Sequence, residues 1–170
     1  MAVTLSVQSN LPKLQPLFVK LKELGGHPQP LLKKIAYYGE SSTRERFNSE
    51  TAPDGQKWKE SLRARLTGGK TLTQDGHLGD SITSTANDQK AEWGSNRIYA
   101  AIHQFGGVIK PKSATALRFQ IPGLGWVTRQ QVTLPARPYL GISDDDQENI
   151  LDLVNQHISS LIRSAAPGGA

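Results

Sequence analysis

The sequence predicts an α+β fold: an antiparallel sheet of about four strands with packed N-terminal and C-terminal helices and an extended hairpin loop. Three observations predict it. Leu14, Leu17, Phe18, Leu21 and Leu24 recur at helical spacing near the start. Leu117, Phe119 and Ile121 alternate with Arg118 and Gln120, then Pro122-Gly123-Leu124-Gly125 supplies a turn. Ile150, Leu151, Val154, Ile158, Leu161 and Ile162 form one apolar stripe near the end.

The elements follow in order. A first helix spans about 12–24, with Pro12 in its first turn and Gly25-Gly26 as its stop. A second opens at Pro28 or Pro30 and runs through Leu32, Ile35 and Ala36 toward Phe47. Gly39 weakens its middle by up to about 1 kcal/mol relative to Ala. Residues 48–57 form a turn around Pro53-Asp54-Gly55, since Pro presets φ and Gly accepts positive φ. Trp58, Leu62 and Leu66 then place a short basic helix over 57–66, and Thr67-Gly68-Gly69-Lys70 breaks it. Strands are expected over 81–86 and 90–94, joined at Asn87-Asp88. A short helix is expected over 97–105, ended by Gly106-Gly107. The return strand of the hairpin runs from Trp126 to Leu134. Pro135 and Pro138 force an extended exit, because each disfavours the α region for the residue before it. Ser143 caps the last helix with Asp146 as its capping-box partner, and Asp144, Asp145 and Asp146 suit the helix dipole.

The length of 170 residues fits one domain over 1–165, with 166–170 as a disordered tail. No cysteine is present, which excludes disulfides and thiolate metal sites. Met1 is followed by Ala2-Val3-Thr4-Leu5, without the basic start and apolar run of a signal peptide, so a chain without a membrane segment is expected. Charge is uneven. Residues 1–70 carry +6, 71–142 carry +3 and 143–170 carry −4, matching the net +5. A basic body with an acidic end fits nucleic acid or a second copy of the chain.

No constellation carries chemistry. Gly69-Lys70-Thr71 resembles the end of a phosphate loop, but Ala64 stands where its first glycine belongs. His27, His77, His103 and His157 make no metal-ligand pair, and no Gly-x-Ser-x-Gly is present. Asp144 to Asp146 are explained by capping, so neither metal nor cofactor is expected. His103 is a candidate base with no carboxylate nearby in sequence, which leaves an uncharacterised hydrolase as one alternative. Trp58, Trp93 and Trp126 read as core or interface anchors. Lys57, Lys59, Arg63, Arg65 and Lys70 form a basic stretch without any named DNA-reading motif; a non-specific DNA-binding accessory protein is another alternative.

Four segments carry a family resemblance. They are Arg46-Phe47 with Ala52-Pro53-Asp54-Gly55 and Trp58; Leu72-Thr73-Gln74-Asp75-Gly76-His77-Leu78 into Ser81-Ile82; Tyr99 through His103, Gln104, Phe105, Gly106 and Gly107; and Leu134-Pro135-Ala136-Arg137-Pro138-Tyr139-Leu140-Gly141-Ile142-Ser143. In this order they resemble the phage virion-morphogenesis family, the tail-completion or neck proteins of Mu-like and P2-like tailed phages. The family pattern often has Thr-Gly where this chain has Asp75-Gly76.

The resemblance implies a non-enzymatic virion protein at the neck, made in the host cytoplasm. It implies a ring, hexameric by the same likeness, through which DNA passes with non-specific contact. Partners would be further copies, a head-completion or connector protein, and a tail terminator or tail tube protein. Capping the tail tube as a terminator is the nearest alternative. The motif residues are then structural: Gly55, Gly76, Gly106 and Gly107 turn the chain, Pro135 and Pro138 aim it at the last helix, and Arg137 caps or bridges to a carboxylate. Tyr99, His103 and Gln104 order the loop after the short helix. Phe47, Pro53, Trp58, Leu78, Phe105 and Leu140 complete the pattern. The segment 106–135 is the candidate clasp for a neighbour. Lys57, Lys59, Arg63 and Arg65 are candidates to pair with Asp144, Asp145 and Asp146 of another subunit.

Overall fold

The computed structural model describes residues 5–6, 15–23 and 27–165; the expected tail over 166–170 lies outside them. The α+β class holds. Its organising element is a long helix that runs Pro28–Ser49, flanked by a helix Gln15–Glu23 and a C-terminal helix Asp144–Ala165. These are α2, α1 and α6. Pro sits in the first turn of α2, where its missing N–H costs nothing. The apolar positions Leu31, Leu32, Ile35, Ala36 and Phe47 are buried along α2.

One side of α2 packs on two antiparallel strands, β2 (Ile82–Ala86) and β3 (Ala91–Ser95), and it also packs on α6. The strand bounds agree with expectation to within a residue. Ile82 pairs with Ser95 and Ala86 with Ala91, and the Asn87 side chain closes the turn by accepting from the N–H groups of Gln89 and Lys90. A strand the sequence does not announce, β1 (Leu5–Ser6), adds to the free edge of β3, giving the order β1-β3-β2.

Gly39 has a reason. A Cβ built there would lie 2.4 Å from Cε2 of Trp93, so the glycine lets the β3 indole lie against the α2 backbone. What reads in sequence as a weak point is a contact point.

Two short helices differ from expectation. The 57–66 helix starts later, as α3 (Leu62–Thr67), because the Ser61 side chain caps it by accepting from the Ala64 N–H at 3.1 Å. Trp58 stays outside the helix and enters the core instead. A turn of helix, α4 (His77–Asp80), follows Gly76, whose φ is 74°. The 97–105 helix is shorter, as α5 (Ala100–Phe105), and ends at Gly106 with φ 70°.

The expected sheet of about four strands divides. Besides the three-stranded sheet there are two ribbons: β4 (Gly107–Ile109) with β7 (Val132–Leu134), and β5 (Leu117–Ile121) with β6 (Gly125–Arg129). The single return strand expected over 126–134 breaks after Arg129. Its second half leaves β5 and pairs with β4, where Gly107 faces Leu134.

Two apolar clusters hold the body together. One gathers Leu21, Leu31, Leu32, Ile35, Ile150, Val154 and Ile158 from the three long helices. The other gathers Phe47 from the end of α2 and Ala52, Trp58, Leu78, Ile82, Trp93, Ala100, Tyr139 and Leu140 from loops and short elements. All four motif segments contribute to the second.

Candidate functional site

The chain from Pro135 to Gly141 crosses the second core in no regular structure. Pro135 and Pro138 have no N–H to give a ladder. A buried backbone must still find partners, and here side chains from distant motifs supply them. Gln104 lies alongside: its Oε1 accepts from the N–H groups of Tyr139 and Leu140, each at 3.0 Å, and its Nε2 donates to the Leu140 carbonyl at 2.8 Å. Trp58 Nε1 donates to the Pro138 carbonyl at 2.8 Å. Arg46 Nη1 donates to the carbonyls of Tyr139 at 2.9 Å and Gly141 at 3.1 Å. The Tyr139 hydroxyl donates to the Ala100 carbonyl at 3.1 Å. The strap is thus held by side chains from Pro138 to Gly141.

Packing completes the clamp. The Phe47 ring meets Trp58 edge-on at 5.5 Å and Tyr139 at 5.2 Å. Leu78 and Leu140 are buried in the same cluster. Gly141 approaches Pro53 so closely that a Cβ would lie 2.5 Å from Pro53 Cγ. A Cβ on Gly106 would meet the Ala136 backbone N at 2.6 Å, so this glycine admits the strap beside α5. Gly55 has φ 80° with open space around it, so it serves the turn alone.

Arg46 reaches further. Its Nη2 forms a buried ion pair with Asp146 Oδ2 at the start of α6. Asp146 also accepts from the Ser42 hydroxyl at 2.5 Å, the Tyr38 hydroxyl at 3.0 Å and the Ser143 N–H at 2.8 Å. Ser143 Oγ in turn accepts from the Asp146 N–H at 3.1 Å, which is the expected capping box. Burial by itself would raise the Asp146 carboxyl. The bonds from Ser42 and Ser143 and the Arg46 charge outweigh it and hold the group below the usual range. Burial and then the bond to Asp146 push the Tyr38 hydroxyl up to about 12.

Two expected roles are corrected here. Asp146 is not available to a second subunit: it is 5% exposed and committed to Arg46. Asp144 and Asp145 are exposed. Among the described residues Arg137 bridges to no carboxylate; buried, it donates from Nε to the Lys59 carbonyl at 2.7 Å, and its N–H donates to the His103 carbonyl at 2.8 Å. Of the basic stretch, Lys57 Nζ donates to the Ser49 carbonyl at 2.5 Å and Arg63 to the Lys70 carbonyl. Lys59 and Arg65 are exposed, and Arg65 lies 3.7 Å from Glu60.

His103 sits on α5, its ring edge-on to Tyr99 at 6.0 Å. Its Nδ1 is buried without a hydrogen-bond partner among the described residues. Burial and then the Arg137 charge hold its pKa below the ordinary histidine value, which favours a neutral ring. Among the described residues, no three His, Cys, Asp or Glu side chains gather in a way that could hold a metal ion. No helix is long and apolar enough to cross a membrane, again among the described residues.

The surface beside this strap is apolar. Ile98, Tyr99 and Phe105 around α5 are exposed, Phe105 by 68%, and Val108 and Ile109 of β4 are exposed too. The β5–β6 hairpin hydrogen-bonds to no third strand among those described. Its inner face, Phe119, Ile121 and Val127, overlooks a groove of about 880 Å³ whose opposite wall includes Leu62, Leu72 and Tyr99. Its outer face presents Trp126, 65% exposed, with the Arg118 guanidinium 4.9 Å from the ring centre.

Arg46 itself carried a signal in the sequence. Thr43 and Arg46 fall on the buried stripe of α2, and a charge on such a stripe demands a buried partner. Nothing local identified Asp146 as that partner, because its capping role already explained it.

The sequence pattern of the phage virion morphogenesis family matches residues 9–159. The Mu-like prophage FluMu G protein 2 of Haemophilus influenzae is 30% identical over 155 residues, covering 91% of this chain and 96% of that protein. A protein G of Escherichia phage Mu, named as a proposed capsid assembly protein, is 31% identical over 134 residues, covering 72% of this chain and 74% of that one. No solved structure matches the chain. The strap-and-clamp core is therefore that of a phage assembly protein, and the chain belongs to the phage virion morphogenesis family.

Proposed function

We propose that this protein completes the joint between head and tail of a tailed phage as a structural ring at the neck, hexameric, with DNA passing through its opening. The observation that carries the reading is the division of the molecule. A body locked by buried clamps presents an apolar α5–β4 face and a hairpin arm with an exposed tryptophan. Exposed apolar surface of that kind marks a surface made for protein contacts. A rigid body with an outlying arm suits a subunit that must clasp neighbours and dock a connector on one side and a tail component on the other. The role is structural, not enzymatic. The His103 ring packs edge-on to Tyr99, and its backbone carbonyl anchors the strap by accepting from the Arg137 N–H.

The test is imaging of virions carrying this protein with a bulky tag, alongside particles made without it. Tag density at the neck and unjoined heads and tails in its absence are the expected results. Normal joined virions without the protein would sink the reading. Tails of uncontrolled length would instead favour the tail-terminator role. A monomer that binds duplex DNA tightly at physiological salt would favour an accessory DNA-binding protein.

A further inference from the structure

We infer that copies of this protein join head to tail in a ring, with the β5–β6 arm of one copy seated in the groove between α2, the Pro53–Gly55 turn and the start of α6 of the next. The inference rests on the ring reading above and adds the two surfaces that make it.

The arm is one-signed. Between Glu92 and Asp144 the chain has no Asp or Glu, while Lys110, Lys112, Arg118 and Arg129 lie in or beside the arm, all exposed. Alternation decides what the arm shows. Arg118 pairs with Thr128, and Trp126 lies two residues before Thr128 on the same face, so these three point away from the groove that Phe119 and Val127 line. The outer face is therefore an indole with a guanidinium on it. Trp and Arg are the side chains that most often anchor protein interfaces.

The groove has the complementary character. It holds about 1060 Å³, and Pro53, Ile142 and Tyr38 give it apolar surface. Glu45, Asp54, Asp144 and Asp145 line it, all exposed. The only Lys or Arg among its lining residues is Arg46, which Asp146 already neutralises. Ring meets apolar wall, and cation meets carboxylate.

The pairing is between copies. No arm residue lines this groove, and in its own chain the arm tip rests on α3, where a Cβ on Gly123 would lie 3.1 Å from Leu66 Cβ. Two arms facing each other would oppose like charges. Arm to groove joins two different patches, and such a heterologous contact repeats around a ring or along a filament. DNA is the rival occupant of a basic arm. The exposed apolar Leu124 and Trp126 favour a protein partner.

The experiment is charge exchange in the full-length protein, read by native mass spectrometry and sedimentation. Arg118→Glu with Lys112→Glu should weaken association about tenfold or more, as should Asp144→Lys with Asp145→Lys, since like charges then meet. Mixing the two reversed proteins should restore mixed oligomers. Circular dichroism should be unchanged, because all four side chains are exposed. Trp126→Ser should weaken association without touching charge. Oligomers that survive both reversals overturn the pairing and leave the ring standing. A wild-type chain that stays monomeric at high concentration overturns both. Weakening by Lys59→Glu with Arg65→Glu but not by the arm reversal assigns the partner to the basic stretch before and within α3 and overturns the arm. Loss of duplex binding without loss of oligomers in the arm variant overturns it in favour of DNA.

Discussion

Arg46 and Asp146, one hundred positions apart, form a buried ion pair that ties the end of α2 to the start of α6 and, through Arg46, to the strap. The guanidinium divides its donors between the carboxylate and two strap carbonyls. Three elements thereby share one charge pair.

Asp146→Asn leaves Arg46 buried without its counter-charge. The expected loss is about 3–5 kcal/mol, read from the urea midpoint at neutral pH. The wild-type protein should also be acid-labile. Its native carboxyl titrates below the unfolded value of about 3.9, so the stabilisation is present above that pH and is lost as pH falls through the native pKa. The Asn variant should lose this part of the acid limb. A variant as stable as wild type would show that the pair does not hold the junction.

Gln104→Ala strands two N–H groups and one carbonyl of the strap. A loss of about 1–3 kcal/mol is expected. Gln104→Glu can accept from both N–H groups but cannot donate to Leu140, so it should fall between the two. Equal stability of the three proteins in thermal melts would refute the clamp.

Gly39→Ala separates local from tertiary effects by sign. Helix propensity alone would raise stability by about 1 kcal/mol. The new Cβ would instead strike the Trp93 ring, so overpacking should cost about 1–3 kcal/mol. Tryptophan fluorescence should shift with it. A stabilised variant would place the indole elsewhere.

His103 should make the fold sensitive to mild acid. Burial and then Arg137 lower its native pKa below the unfolded value of about 6.5. Its contribution is therefore intact above that pH and declines as pH falls from there toward the native pKa, because the unfolded chain takes up the proton first. His103→Gln should reduce the decline in melting temperature as pH falls below about 6.5. His157, lowered in the same direction by burial and by Lys34, adds to it, and the double variant should flatten the profile further. An unchanged slope in His103→Gln would show that the histidine is solvated.

What the sequence by itself determined was local. Ser143 and Asp146 three residues apart cap α6, and the reciprocal bonds are there. Alternation over Leu117 to Ile121 and the turn after it specify β5 and β6, because a period of two puts one face inward. Gly106 ends α5 where a positive φ is needed. The order of the four motif segments also pointed to the family, which their shared core explains.

Tertiary structure decided everything that depends on a partner far along the chain. It moved Trp58 out of a helix and onto Phe47 and Pro138. It split one expected sheet into three, because the second half of the return strand pairs with β4. It turned Gly39 from a weak point into a seat for Trp93, and took Asp146 from a surface charge to a buried one. Periodicity and caps report the backbone within a few residues, whereas a buried charge, a close approach or a choice between strand partners is settled by what folds against it.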